Sequence, residues 1–491
     1  MNRVVVNQLR QRLARGEFVV MVEITPGRGS RLADHARAAA ALTAVPQIAA
    51  ASITSNAGGH PGEDPIPVAR AVADVGLTPN VHLTCVWMDR RGLARDLDRL
   101  QALGLENVFT MTGDWPAERT TVRPRYDLDS VQLTALIAER RAAGFPFHIA
   151  VAVSPFKYTE AETMLQYLKL EKKRAAGADV AITQVGYDLA KFAELARYRD
   201  EHCPGLPLIG CVAVMTRRVA EKIAAGELAG CTIAPALLAA VRRESGAPDG
   251  GRAAALERTA QLIAVLRGLG YAGVYLVGLT RRPRELGELL ARAEALAPRW
   301  KAAAEALAVG RGEGFLLYEP GTPERRWWPV PTLRHRVFST AGRLGPTPGT
   351  RRHRLLRRLA AAVDRRPGLV TLTRTVEQAI KIPAFGCKEC GNCVLSYMEY
   401  VCPMTCPKDQ RNGACGGSTD GWCEVERKPC IWIEVYENAK RANRIAGMRI
   451  FIPPPNRSLH GTSSWLNYFL GRDVRPRDAE RPAGEPEETL R

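Results

Sequence analysis

This 491-residue chain predicts an α/β fold: a (β/α)8 TIM barrel followed by a small cysteine-rich metal-binding domain. Three observations carry that expectation. Short apolar runs rich in β-branched residues alternate with Ala- and Leu-rich helical stretches eight times over about the first 300 residues. Polar side chains gather at the C-terminal ends of those runs, where the chemistry of such barrels collects. Eight of the twelve cysteines fall between Cys387 and Cys430.

The first run, Phe18 to Val22, is continuously apolar, as in a parallel strand covered on both faces, and it delivers Glu23 at its end. An acid there is costly unless it has a task, so Glu23 is a candidate proton donor or acceptor. The alternative is a loop acid paired with Arg28. Helix Leu32 to Leu42, strand Ile48 to Ser55 and the loop Asn56 to Gly62 follow, then helix Pro65 to Val75, strand Asn80 to Val86, helix Arg91 to Leu103 and strand Asn107 to Thr112. Helix Ser130 to Ala143, strand His148 to Ser154, helix Glu160 to Ala176 and strand Val180 to Val185 make the fifth and sixth units. Strands Leu206 to Val214 and Gly273 to Gly278, with helices Arg252 to Leu269 and Pro283 to Ala295, complete eight. An open doubly wound sheet is the alternative, but no Gly-x-Gly-x-x-Gly follows the first strand. If the barrel closes, Glu23, Thr54, His82, Asp114, Ser154 and Gln184 face one mouth.

The motifs Val22-Glu-Ile-Thr-Pro26, Ser52-Ile-Thr54, His82-Leu-Thr-Cys85, Gly104-Leu-Glu-Asn-Val108, Thr112-Gly-Asp-Trp-Pro116, Lys172-Lys-Arg-Ala-Ala-Gly-Ala178 and Ala181-Ile-Thr-Gln184 occur in that order across roughly residues 10 to 300. The region resembles methylenetetrahydrofolate reductase. The resemblance implies a flavin, FAD with FMN as the alternative, at the barrel mouth, and reduction of 5,10-methylenetetrahydrofolate to 5-methyltetrahydrofolate in one-carbon and methionine metabolism. It implies that Glu23 protonates the folate, that Asp114 tunes hydride transfer beside flavin and pterin, and that Gln184 contacts the pterin. Thr54, His82, Asp114, Ala152 and Lys173 fall at flavin-contacting positions. The sequence departs from the family at Thr112, where many members carry Arg, at Ser154, usually aromatic, and at Val185-Gly-Tyr187. NAD(P)H and a ferredoxin-type carrier both stay open as electron donors.

The cysteines are spaced Cys387-x2-Cys390-x2-Cys393-x8-Cys402-x3-Cys406-x8-Cys415-x7-Cys423-x6-Cys430. Two-residue gaps let thiolates converge on one metal, and eight ligands suit two four-cysteine sites, of [4Fe-4S] clusters or of zinc. Cys402-Pro-Met-Thr-Cys-Pro407, Arg411-Asn-Gly-Ala-Cys-Gly-Gly417 and Cys430-Ile-Trp432 resemble the C-terminal cysteine-rich domain of the same reductases. That resemblance implies electron transfer toward the flavin. Lys408 and Arg411 would either raise a nearby cluster's potential or sit in solvent.

The resulting division is a flavin- and folate-binding barrel over 1–305, a linker and connecting helix over 306–382, the cysteine domain over 383–450 and a partly disordered tail over 451–491. In the linker, Trp327 and Trp328 read as packing residues and Arg351 to Arg358 as helical. The net charge of +18 is mostly Arg spread along helices, without interleaved aromatics, so a solvated surface or small polyanions are expected rather than nucleic acid. No apolar run reaches 18 residues and the N-terminus lacks the hydrophobic block of a signal peptide, so no membrane role and a cytoplasmic location are expected. Expected partners are the folate substrate, a redox protein, and further copies of the chain or a redox complex. Three rival readings use the same residues. The barrel could run as a methyltetrahydrofolate oxidase, could be a flavin-free folate-binding methyl-transfer partner, or could be a docking module held by zinc.

Overall fold

The computed structural model describes residues 6–117, 123–319, 332–343, 345–346 and 348–476. Trp327, Trp328 and the last part of the charged tail lie outside them. Eight parallel strands close into a barrel in sequence order: β1 (Val19–Ile24), β2 (Ile48–Ile53), β3 (Pro79–Thr84), β4 (Asn107–Met111), β5 (His148–Val153), β6 (Val180–Thr183), β7 (Leu208–Ala213) and β8 (Gly273–Val277). Closure is made by β1 against β8, with Val19 opposite Gly273 and Val20 opposite Val274. A side chain on Gly273 would meet the Val19 carbonyl at 2.4 Å, so the seam itself requires glycine there.

Alternation along each strand builds two cores. Val19, Met21, Ala50, Phe109, Ala150, Val180, Ile182, Ile209, Cys211 and Tyr275 fill the interior, and Leu9 from the N-terminal helix Gln8–Ala14 joins them. Val20, Val22 and Ile24, one residue out of step, pack outward with the helices around the sheet. Most of those helices begin on a side-chain cap. Asp64, Asp89, Asp129, Thr159, Asp188 and Thr216 each accept from a first-turn amide, which satisfies donors the helix leaves unpaired.

The predicted barrel strands and helices are all present, with ends moved by a residue or two, and the helix expected over Arg351 to Arg358 runs on to Asp364. The sequence reading passed over Leu189–His202 and, between β7 and β8, Arg217–Ala224 and Pro235–Glu244. The chain divides into two compact units: Met1–Arg325 with Cys415–Asp420, and Arg326–Ala414 with Gly421–Arg491. The second contains helices Thr332–Arg343, Arg351–Asp364, Pro367–Phe385, Ile431–Arg441 and Ser464–Leu470. Its interior holds an ion cluster in which Glu399 accepts from His335 at 2.7 Å and from Arg444 at 3.0 Å. Among the described residues no helix is long and apolar enough to cross a membrane.

Candidate functional site

The two-residue period that sends Val19 and Met21 inward sends Glu23 inward as well, one step nearer the C-terminal mouth. Its carboxyl is held from two sides. Thr25 Oγ1 donates to Oε1 at 3.1 Å and the Tyr275 hydroxyl to Oε2 at 3.0 Å, while Thr280 Oγ1 holds the Glu23 carbonyl. Burial raises the carboxyl above its ordinary range and the two hydroxyl donors oppose that rise. A carboxyl whose pKa is raised holds its proton to higher pH and is better suited to act as a general acid.

His82 stands on β3 with its Nε2 2.8 Å from Ser52 Oγ, its ring edge-on to Phe109 at 4.9 Å. Burial drives its pKa down to about 3, so the imidazole is neutral throughout the physiological range. Asp114, in the loop after β4, accepts from the Gly58 amide at 3.0 Å. The loops after β2 and β4 are zipped together there: Ala117 donates to the Gly59 carbonyl at 3.1 Å, and a side chain on Gly59 would meet Trp115 O at 2.1 Å. Gln184 follows β6, with its Nε2 donating to Ala229 O at 3.2 Å and its Oε1 accepting from the Val185 amide at 2.9 Å.

Two thiols bind these residues into one mouth. Cys231 lies within electrostatic reach of Asp114 and Lys157, and Cys211 within reach of Glu23 and Cys231. Both are kept protonated by burial, Cys231 up to about 12. Thr54 Oγ1 and Ser154 Oγ, beyond the ends of β2 and β5, are buried without a hydrogen-bond partner. A polar ligand at the mouth is what such atoms ask for, and in this respect the residues fit a flavin. Lys173 is brought beside Ala152 by an ammonium that donates to the Ala152 carbonyl. Burial lowers Lys173 and its neighbour Lys172 to about 7.

The remaining wall was not legible in the sequence. The hexapeptide Cys415–Asp420 belongs to the barrel unit. Lys157, buried after β5, donates its ammonium to the Ser418 carbonyl. Gly416, at φ +96°, leaves its Cβ position 3.8 Å from Ser154 Cβ and 3.4 Å from Gln166 Oε1. A side chain on Gly230, beside Gln184, would stand 2.9 Å from Gly416 O.

In the second unit, amides two residues on from a cysteine turn back to sulfur: Glu389 N to Cys387 Sγ and Val425 N to Cys423 Sγ, both at 3.4 Å. Cys402 feels the charge of Cys387, Cys390 and Cys393, and burial pushes its thiol up to about 12. Lys381 Nζ stands 3.5 Å from Cys393 Sγ and Arg411 Nη2 3.7 Å from Cys390 Sγ. Among the described residues, no three His, Cys, Asp or Glu side chains form a set able to hold a metal ion. Lys408 pairs with Glu424 at 2.5 Å.

A closed (β/α)8 barrel with an acid, an amide and unpartnered hydroxyls converging on its C-terminal mouth has the architecture of a barrel enzyme. The sequence profile of methylenetetrahydrofolate reductase matches residues 8–286, more than half of the chain, and the chain belongs to that family. The profile described as methylene-tetrahydrofolate reductase C terminal matches residues 366–458. A probable methylenetetrahydrofolate reductase (NADPH) of Caenorhabditis elegans is 26% identical over 179 residues, covering 34% of this chain and 26% of that protein. The match thus spans about a quarter of the relative's length. Among solved structures, 2,3-dimethylmalate lyase aligns over 68% of this chain and 95% of its own at 14% identity and a TM-score of 0.31. Tryptophan synthase from M. tuberculosis aligns over 62% and 97% at 14% identity and a TM-score of 0.32. At those scores neither carries an argument about this chain.

Proposed function

We propose that the chain reduces 5,10-methylenetetrahydrofolate to 5-methyltetrahydrofolate in one-carbon metabolism, with Glu23 as the acid. The observation that carries the reading is a raised carboxyl held by Thr25 and Tyr275 at the mouth of a barrel of this family. Thr54, His82, Asp114, Ala152 and Lys173, with the unpartnered Ser154 hydroxyl, would hold a flavin, which would supply hydride chemistry. The chain supplies the rest. Glu23 gives its proton to the folate nitrogen whose C–N bond opens, which makes the attached carbon electrophilic. Asp114, fixed by the Gly58 amide, and Gln184, fixed at Ala229, hold the pterin against that acid.

The cysteine region is proposed to hold metal, with Cys387, Cys390, Cys393 and Cys402 among the ligands, and to pass electrons from a redox protein. The amide turned to Cys387 and the nearby cations Lys381 and Arg411, which favour thiolates there, support that reading. Cys406, Cys415, Cys423 and Cys430 are the remaining expected ligands. The test is a visible spectrum of anaerobically purified protein before and after adding 5-methyltetrahydrofolate. A flavin band that bleaches supports the reading, and an added broad shoulder assigns iron–sulfur rather than zinc. Protein competent to bind flavin but showing none promotes the methyl-transfer alternative.

A further inference from the structure

Tyr275 entered none of the motifs that pointed to the site, yet it touches the residue on which the reaction turns. It is buried on β8, facing the interior between Cys211 and Glu23. Its hydroxyl donates to Glu23 Oε2 at 3.0 Å, close to the hydroxyl of Ser52 on β2. Ser52 Oγ in turn accepts from Asn80 Nδ2 at 2.9 Å and stands 2.8 Å from His82 Nε2. Ser52, Asn80 and His82 are thus bonded to one another beside the bond by which Tyr275 holds the carboxyl.

Proton counting fixes its direction when Glu23 is ionised. Tyr275 has one proton and gives it to the carboxylate. Asn80 Nδ2 can only donate, so the Ser52 lone pairs receive Asn80 and, in the Nε2–H tautomer, His82. The Tyr275 hydrogen then points at Glu23. When Glu23 carries its proton, Tyr275 is still the nearest partner of Oε2.

We infer that Tyr275 is a positioning residue for the acid Glu23, fixing Oε2 and meeting the carboxylate with an ordered donor as the proton leaves. The inference rests on Glu23 being the acid. The other groups facing Glu23 leave the task to Tyr275. Cys211 on β7 is a thiol that burial keeps protonated, His82 on β3 is neutral and bonded to Ser52 rather than to Glu23, and Thr25 holds the opposite oxygen.

The sign of the pH effect follows. A donor to the charged form lowers a carboxyl's pKa, so removing it raises the pKa further. The acid must be protonated to act, so activity falls as pH rises through that pKa, and the falling limb moves to higher pH in Tyr275→Phe. The experiment is a pH profile of kcat and KM for methylenetetrahydrofolate on the flavin-loaded full chain, in the parent, Tyr275→Phe, Ser52→Ala and Glu23→Gln. Infrared difference spectra of the carboxyl band follow Glu23 ionisation without turnover. In Tyr275→Phe the expected result is a kcat lower by about tenfold or more, an unchanged KM, and a basic limb and carboxyl titration both displaced upward. Ser52→Ala, which leaves Tyr275 in place, gives a smaller displacement in the same direction and decides the matter if Tyr275→Phe fails to fold. A parental profile and parental carboxyl titration in Tyr275→Phe, with Glu23→Gln inactive, overturn the inference alone. An active Glu23→Gln overturns the acid assignment and the role of Tyr275 with it.

Discussion

The ammonium of Lys157 donates to the carbonyl of Ser418, 261 residues further along the chain, and both residues are buried. This bond and the glycine pair Gly230 and Gly416 fasten Cys415–Asp420 to the barrel unit beside Ser154 and Gln184. Gly416 adopts φ +96°, which a side chain resists, so glycine at that position is explained by its backbone.

Breaking either fastening should free the segment. Lys157→Met leaves the Ser418 carbonyl without its donor, at a cost of about 1–3 kcal/mol. Gly230→Val adds a branched side chain at φ +71°, with its Cβ 2.9 Å from Gly416 O. Hydrogen exchange read by mass spectrometry should show peptides covering 415–420 exchanging about tenfold faster or more in both variants, a factor that 1.4 kcal/mol supplies. Parental protection in both would show that the segment is held by something else.

Glu23→Gln keeps the shape of the side chain and removes the proton. Folate turnover should fall below detection while the flavin is still reduced by its electron donor, followed as bleaching of the flavin band. Loss of both half-reactions would mean that Glu23 supports the fold rather than the chemistry.

How far the sequence reached follows from the range of each interaction. Glu23, Thr54, His82 and Gln184 were legible because strand parity and strand ends are local properties, and the barrel's closure put them at one mouth. Leu189–His202 was passed over because its buried face is charged: Lys191 and Glu194 pair at 3.0 Å in the interior, which breaks the apolar stripe that marks a helix. Pro367–Phe385 carries four β-branched residues in its first half and Pro383 near its end, against its local propensity. The strap at the mouth and the Tyr275–Glu23 bond join residues more than 250 apart, and no pattern along the chain records such a pairing.

Lys172 makes stability depend on pH. Burial lowers its pKa from the ordinary lysine value to about 7, with the Asp129 carboxylate opposing. Below about 7 both folded and unfolded chains hold this proton. Between that point and the ordinary lysine pKa, about 10.4, the unfolded chain holds one more, so stability should rise with pH across the window. The slope for one proton approaches about 1.4 kcal/mol per pH unit. In Lys172→Met the rise between pH 7 and 9 should flatten, read by denaturant titration at each pH. An unchanged slope would place the proton elsewhere.

Lys381 offers the clearest separation of fold from chemistry in the second unit. Its ammonium bonds Glu377 and Ser464, each at 2.7 Å, and stands 3.5 Å from Cys393 Sγ, while Ser463 donates to the other Glu377 oxygen at 2.6 Å. Removing the cation alone strands a buried carboxylate, and Lys381→Met should cost about 3–5 kcal/mol. The paired change Glu377→Gln with Lys381→Met removes both charges and should restore most of that loss in chemical denaturation. If the cysteines hold metal, their thiolates then lose a cation that offsets their charge, so the double variant should bind metal more weakly although its fold has recovered. Competition with a chelator against the parent reads this directly. Parental metal retention in the double variant would confine Lys381 to packing, whereas weaker retention at recovered stability would make it the counter-charge of the cysteine site.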